Sequence, residues 1–269
     1  MKISTFLACG ALLAAPLLAE TQTLWATGVN AQQGWYDFNK ARGGKESGLC
    51  WAITAANLIA WWQNAQPEGS LPAQVPMGDA VWSTFRESFT NNGSDPDEGM
   101  RWWFSGKYEP QTPASGDPCA AITQEATGHY YTGVCEAADA FIWNLLRRGR
   151  GAEVNAESLN RAFYEGFSHG DAFWIGVAYY RPNGSRYTHS LTVWGADYDY
   201  NAAGEPRIVA IYMTDSDDGC RYLHRIPVKV VNNAMLFDCQ EHPLYAAIGH
   251  IEITTITRLM VGNNGKQGN

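Results

Sequence analysis

Leu49-Cys50-Trp51-Ala52-Ile53-Thr54-Ala55-Ala56-Asn57-Leu58-Ile59-Ala60-Trp61-Trp62-Gln63 is the stretch on which the fold reading turns. It holds neither Gly nor Pro and is rich in alanine, leucine and isoleucine, which predicts a helix. At helical spacing Trp51, Ala55, Leu58 and Trp62 share one face, with Cys50, Thr54 and Trp61 on the neighbouring stripe. A helix apolar over so much of its circumference is largely buried, and Ser47 is placed to cap it. Its first turn carries Cys50. There the helix dipole and the unpaired backbone N–H groups favour thiolate over thiol, and the thiolate is the nucleophile.

Away from this helix the pattern divides in two. Residues 20–47 read as irregular, with Gly34-Trp35-Tyr36-Asp37 as a short strand end. Residues 64–135 are rich in Pro, Gly, Ser and Asn and read as a loop-heavy elaboration, helical over Asp79–Ser88 and knotted by Trp102-Trp103-Phe104. Glu136–Arg148 reads as an amphipathic helix with Phe141 and Leu145 inward. Asn155 caps another to about Phe167, with Leu159, Phe163 and Phe167 on one side. Beyond it, Ala172–Tyr180, Ser190–Tyr198, Arg207–Thr214, Tyr222–Val231 and Ala247–Leu259 are rich in aromatic and β-branched residues and read as strands, with a turn over Asn201–Glu205. Helices first and antiparallel strands later define an α+β fold, the cysteine helix packed on a C-terminal sheet.

The bulk chemistry excludes several roles. The chain of 269 residues carries a net charge of −8 with no Lys/Arg run, which argues against nucleic acid and against anionic membranes as partners. Apolar residues make up 45% and charged ones 17%, enough for one large buried core. Met1-Lys2 and the apolar run Phe6–Leu18 are too short to span a bilayer and read as a cleavable export signal, residues 1–19, taking Cys9 with it. One domain over residues 20–262 and a polar tail, 263–269, are expected, in a secreted or periplasmic protein with no integral membrane segment. The mature part keeps Cys50, Cys119, Cys135, Cys220 and Cys239; an odd count in an exported chain leaves one free thiol, read as Cys50. The other four allow three pairings, of which Cys119–Cys135 with Cys220–Cys239 is the expectation. No cysteine or histidine cluster has zinc-ligand spacing, and no cofactor is expected.

A thiol nucleophile needs an imidazole, a group that orients the imidazole, and donors for the developing oxyanion. His189 opens the strand His189-Ser190-Leu191-Thr192-Val193-Trp194-Gly195, about 140 residues after Cys50, a separation typical of papain relatives. The other histidines have weaker contexts, and His250 reads as a satisfied core residue. Asp215 and Asp217 flank Ser216 at a strand end. In extended chain they project to one side, so both can reach one imidazole. The plainer reading of that stretch, with Asp218 and Gly219, is an acidic turn binding water or calcium. Lys40, read alone, is a solvated lysine.

Taken together these blocks resemble a known family. Gly34-Trp35-Tyr36-Asp37-Phe38-Asn39-Lys40, the Leu49–Trp62 helix, His189-Ser190-Leu191-Thr192-Val193-Trp194-Gly195-Ala196-Asp197-Tyr198-Asp199 and Ala210-Ile211-Tyr212-Met213-Thr214-Asp215-Ser216-Asp217 are similar to the IdeS/Mac family of secreted bacterial immunoglobulin-cleaving cysteine endopeptidases, and stand in the family's order. The resemblance implies a papain-like fold. It places Cys50 on the nucleophile, His189 on the general base, Asp215 on the aspartate that orients the histidine, Asp217 on a second supporting aspartate and Lys40 on the lysine of the oxyanion hole. It implies a protein substrate, with immunoglobulin as the family's target. The same residues leave room for an amidase or acyl transferase acting on cell-wall peptides, and for a binding protein without turnover.

Overall fold

The computed structural model describes residues 21–41, 44, 46–89, 91, 93–106, 142–147 (backbone), 154–181, 183–238, 245 and 250–261. The expected signal segment, Cys119, Cys135 and the polar tail lie outside them. In chain order the elements are β1 (Gln22–Trp25), α1 (Cys50–Asn64), α2 (Asp79–Ser88), α3 (Pro96–Ser105), β2 (Ile142–Arg147), α4 (Ala156–Ser168), β3 (Ala172–Tyr180), β4 (Arg186–Tyr200), β5 (Pro206–Thr214), β6 (His224–Val231), β7 (Ala234–Phe237) and β8 (His250–Leu259). The fold is α+β, with α1 packed between a helical layer and an antiparallel sheet.

The sheet runs β1-β4-β3-β8-β7-β6-β5, and β2 adds to β8. Strand β5 also pairs with β4, so the path β4-β3-β8-β7-β6-β5 returns on itself as a ring. Strand β4 makes this possible by its length of 15 residues: its first half pairs with β3 and its second half with β1 and β5. A bulge in β4 between Val193 and Gly195 bends it between the two partners, and a second, opposite Asp197/Tyr198, lies in β5. At Gly195 the Trp25 ring and the Leu24 carbonyl come so near that a Cβ would sit 2.4 Å from Trp25 Cε3, so only glycine lets β1 lie there.

Helix α1 is buried from Trp51 to Gln63, as its all-round apolarity predicts. Its Trp51 meets Phe89 edge-on at 5.0 Å, and Trp62 meets Phe104 at 5.1 Å, while Phe85 stacks on Trp103 at 5.6 Å. Each such side chain, fully buried, contributes about 1.5–3 kcal/mol. Helix α4 begins on the expected cap: Asn155 Oδ1 accepts the Ser158 N–H at 2.9 Å, and the Asn155 N–H donates to Ser158 Oγ at 3.0 Å.

Several expectations are corrected. The aromatic knot Trp102-Trp103-Phe104 belongs to a regular helix, α3, opened by Pro96 with Asp97 and Glu98 in its first turn and closed by Gly106 at φ 72°. Within the stretch read as the helix Glu136–Arg148, residues Ile142–Arg147 form strand β2 along β8; the rest lies outside the described residues. A short apolar run is ambiguous between the two states, and the open edge of β8 decides for strand. Residues 22–25, read as irregular, pair with Gly195–Tyr198. Strand β7 is not among the expected strands: Asn232 and Asn233, both at positive φ, turn β6 into it. Residues 247–249 of the last expected strand lie outside the described residues.

Candidate active site

Helix α1 presents Cys50 at its first position. Its N-cap is Leu49, not Ser47, with no side-chain hydrogen bond and no acidic residue in the first turn. Ser47 Oγ instead donates to the Gly44 carbonyl. The positive pole of a helix buried from its second residue onward is thus left to the sulfur. Burial by itself would raise the Cys50 thiol. The hydrogen bond and charge of His189, the Ser190 backbone N–H and the Lys40 charge outweigh it and hold the thiol below its ordinary value.

His189 stands on β4 opposite Val177 of β3 and is 7% exposed. Its Nε2 lies 2.7 Å from Asp215 Oδ1. This fixes Nε2 as the N–H toward a carboxylate and leaves Nδ1 for Cys50. Burial opposes charge on the ring, but the Asp215 charge and hydrogen bond, followed by those of Cys50, raise His189 well above its ordinary value. Asp215, at the end of β5, is 3% exposed. Burial would raise it too, yet His189, the Tyr245 hydroxyl and the Asp217 N–H hold it down at about 2. The Cys50 and His189 shifts both run in the direction that favours a thiolate–imidazolium pair, with a carboxylate behind the ring.

Lys40 is not a solvated lysine. Its backbone N–H donates to the Ser216 carbonyl at 3.0 Å, its Nζ donates to the Ser47 carbonyl at 3.2 Å and pairs with Asp217 Oδ1. Asp217 Oδ1 also stands 3.9 Å from His189 Nε2. An ammonium has three N–H donors, and two are accounted for by these partners. The segment carrying Lys40 is laced to the turn after β5. Thr214 Oγ1 donates to the Tyr36 carbonyl, Tyr222 N–H to Asp37 Oδ2, and Asn39 exchanges hydrogen bonds with Cys220 and Gly219. Asn57 of α1 joins both halves, accepting the Phe38 N–H at 3.0 Å and donating to Thr192 Oγ1 at 3.1 Å.

The structure therefore brings Cys50, His189, Asp215, Asp217 and Lys40 into one cluster. His189, Asp215 and Asp217 each offer a ligand atom within 4.8 Å of one another, the one metal-type grouping among the described residues. Its donors already serve one another and the Lys40 cation, so the arrangement fits an imidazole in a carboxylate frame. Asp218, read above as part of an acidic turn, pairs its Oδ2 with His224 Nε2 at 2.6 Å and accepts the Cys220 N–H on Oδ1. Cys220 is an exposed free thiol; Cys239, its expected partner, lies outside the described residues. His250, expected in the core, is exposed at the start of β8 and packs against Tyr180 in a tilted pair at 4.4 Å.

Three residues of the site escaped the sequence reading. Tyr245, which donates to Asp215 Oδ2, lies in no motif; Asn57 lies within the Leu49–Trp62 block but reads there only as one more helix residue. Asp37 is the third. Burial, with the charges of Asp218 and Asp215, raises its carboxyl to about 7 against the Tyr222 and Asn39 hydrogen bonds, and its Oδ1 has no partner among the described residues.

Two cavities flank the cluster and share Cys50, His189, Thr188 and Ser47. One of about 450 Å³ opens toward Asp95, Trp174 and Arg186; the other, about 300 Å³, opens toward Lys40, Tyr187 and Tyr245. The cleft thus continues to both sides of the sulfur.

This fold and site define a class: an α+β protein with a cysteine at a helix pole facing a histidine–aspartate pair on a sheet. A family model described as Mac 1 matches residues 170–236, the stretch from β3 through β7 that carries His189, Asp215 and Asp217. That part of the chain is similar to the Mac family, which is associated with proteases; Cys50 and Lys40 lie outside the match. No curated protein matches the chain. Among the described residues, no helix is long and apolar enough to cross a membrane.

Proposed function

We propose that the protein is a cysteine endopeptidase that hydrolyses peptide bonds in a protein substrate. The observation that carries this reading is Cys50 at the pole of α1, lining the same cavities as an imidazole whose Nε2 is 2.7 Å from a buried carboxylate. The Cys50 thiolate attacks the scissile carbonyl carbon, forming a C–S bond and a tetrahedral oxyanion. The Lys40 ammonium and the Cys50 backbone N–H receive the oxyanion, a charge-assisted contact in a partly dry cleft. His189 gives its Nδ1 proton to the departing nitrogen as the C–N bond breaks, leaving a thioester. It then takes a proton from water, whose oxygen attacks the thioester and frees Cys50 and a carboxylic acid. Asp215 holds the ring in the tautomer both steps require, and Asp217 holds Lys40. Cavities on both sides of Cys50 suit a chain that runs through the cleft, which favours internal cleavage over trimming from an end.

Immunoglobulin is the substrate suggested by the family likeness, and an exported location, after removal of residues 1–19, is part of the same proposal. The test is digestion of immunoglobulin and of a panel of unfolded proteins, read by mass spectrometry, with Cys50→Ala beside the wild type. Cleavage by the wild type and none by a folded Cys50→Ala is expected; turnover by Cys50→Ala would sink the assignment.

A further inference from the structure

We propose that Tyr245 is a positioning residue of this site: its hydroxyl grips the outer oxygen of Asp215 and, through that carboxylate, sets the His189 ring for exchange with Cys50. The inference rests on the thiol-peptidase reading and deepens it.

The grip is two-sided. Asp215 Oδ1 receives His189 Nε2 at 2.7 Å and the Asp217 N–H at 2.9 Å, while Oδ2 receives the Tyr245 hydroxyl at 2.5 Å. A carboxylate held at both oxygens cannot rotate about its Cβ–Cγ bond, so the plane it offers to the imidazole is fixed. The phenol is fixed in turn. Tyr245 is 3% exposed, stacked on Tyr179 at 6.4 Å and edge-on to Phe237 at 6.2 Å. Tyr179 lies 6.0 Å from the His189 ring, so one aromatic wall contacts both members of the histidine–aspartate pair. Tyr245 also lines the smaller cavity with Tyr179 and Tyr187, beside Asp215.

The charged surroundings make the phenol a permanent donor. Burial, then Asp215, Tyr179 and Asp218, push its ionisation far above the ordinary range. It therefore moves no proton during turnover. The groups facing Asp215 are His189 from β4, Tyr245, Asp217 and Asp218 from its own turn, Tyr179 from β3 and Asp37 from the segment before α1. Of these, only His189 and Tyr245 donate side-chain hydrogen bonds to it.

The test is Tyr245→Phe, which keeps the ring and removes the donor. Three readouts are taken: the pH profile of Cys50 alkylation by iodoacetamide, kcat and KM on a cleaved peptide, and Tm. With Oδ2 left bare, Asp215 supports the imidazolium less well. The alkylation midpoint should move to higher pH by about half a unit or more, and kcat should fall about tenfold with KM within about twofold. Because Tyr245 acts through Asp215, the change should have less than about a twofold effect in an Asp215→Asn background. Phe237→Leu, which loosens the packing but keeps the hydroxyl, should lower Tm and leave the alkylation midpoint in place. A Tyr245→Phe variant that loses Tm while keeping the wild-type profile and kcat would overturn the proposal, as would a full-sized effect in the Asp215→Asn background. The alkylation profile needs no substrate. If the wild type cleaves nothing, the peptidase reading fails while the hold of Tyr245 on the cysteine–histidine pair is still measured.

Discussion

The Lys40 ammonium is paired with Asp217, and that same Asp217 oxygen stands 3.9 Å from His189 Nε2. One carboxylate thus connects the proposed oxyanion donor to the proposed base, although the first comes from the segment before α1 and the second from β4. Lys40 is 11% exposed and Asp217 48%, so the cation is sheltered in the cleft and its partner faces solvent.

Lys40→Met should therefore lower kcat by about 10²–10³, the cost of losing one oxyanion donor, while KM changes little. Asp217→Asn frees the lysine without removing it and should cost less, about tenfold. Steady-state kinetics on one peptide orders the two variants. A larger loss for Asp217→Asn than for Lys40→Met would show that the carboxylate, not the cation, does the essential work.

The depressed Cys50 thiol predicts that iodoacetamide alkylates it at lower pH than it does an ordinary thiol. Asp215 should become protonated only near pH 2, against about 3.9 in the unfolded chain. A depressed carboxylate stabilises the fold above its unfolded value and loses that contribution as pH falls through the folded one. Asp215→Asn should thus destabilise the protein at pH 6 and much less at pH 2, as read by urea unfolding. It should also move the alkylation midpoint up.

Asp37 has the opposite sign. With its carboxyl raised to about 7 in the fold and near 3.9 in the unfolded chain, the native state holds a proton that the unfolded state lacks between those values. Stability then falls as pH rises through that window, and the penalty is complete above about 7. Asp37→Asn should be more stable than the wild type at pH 8 and close to it at pH 4. Equal differences at the two pH values would contradict the assignment.

Asn57→Ala tests how the halves are joined. It removes the acceptor of the Phe38 N–H and the donor to Thr192 Oγ1, both buried. Leaving buried groups unsatisfied costs about 1–3 kcal/mol. Because Phe38 leads into Lys40, kcat should also drop in the fraction that stays folded. A Tm loss with unchanged kcat would confine Asn57 to a structural role.

Much of this fold was legible in the chain. Helix α1 announced itself by apolar residues on every side, α4 by Asn155, and β3 to β5 by aromatic and β-branched runs around the Asn201–Glu205 turn. Four-residue β1 carries too little pattern to read alone and exists because Gly195 leaves room for Trp25. Helix α3 was hidden by Gly99, a poor helix former that is kept because a Cβ there would crowd Ala55, Phe85 and Trp51 at 3.0–3.1 Å. The Asn232-Asn233 pair is a turn signal that could have been read; nothing local marks Tyr245.

What the sequence determined by itself is local: a thiol at a helix pole, a histidine on a strand, and two aspartates just beyond a strand end. Those follow from dihedral preferences, side-chain periodicity and the field of a helix end, which reach only a few residues. The strand in fact begins at Arg186, which puts His189 inside it, and the aspartates lie in a turn, with the Asp217 N–H on Asp215 Oδ1, not in extended chain. The tertiary structure decided which buried charges meet. Lys40 became a cleft residue, Asp218 became the partner of His224, and Tyr245 came to rest on Asp215, because packing withdrew these groups from water and left each to be satisfied by whichever donor or acceptor the fold set beside it.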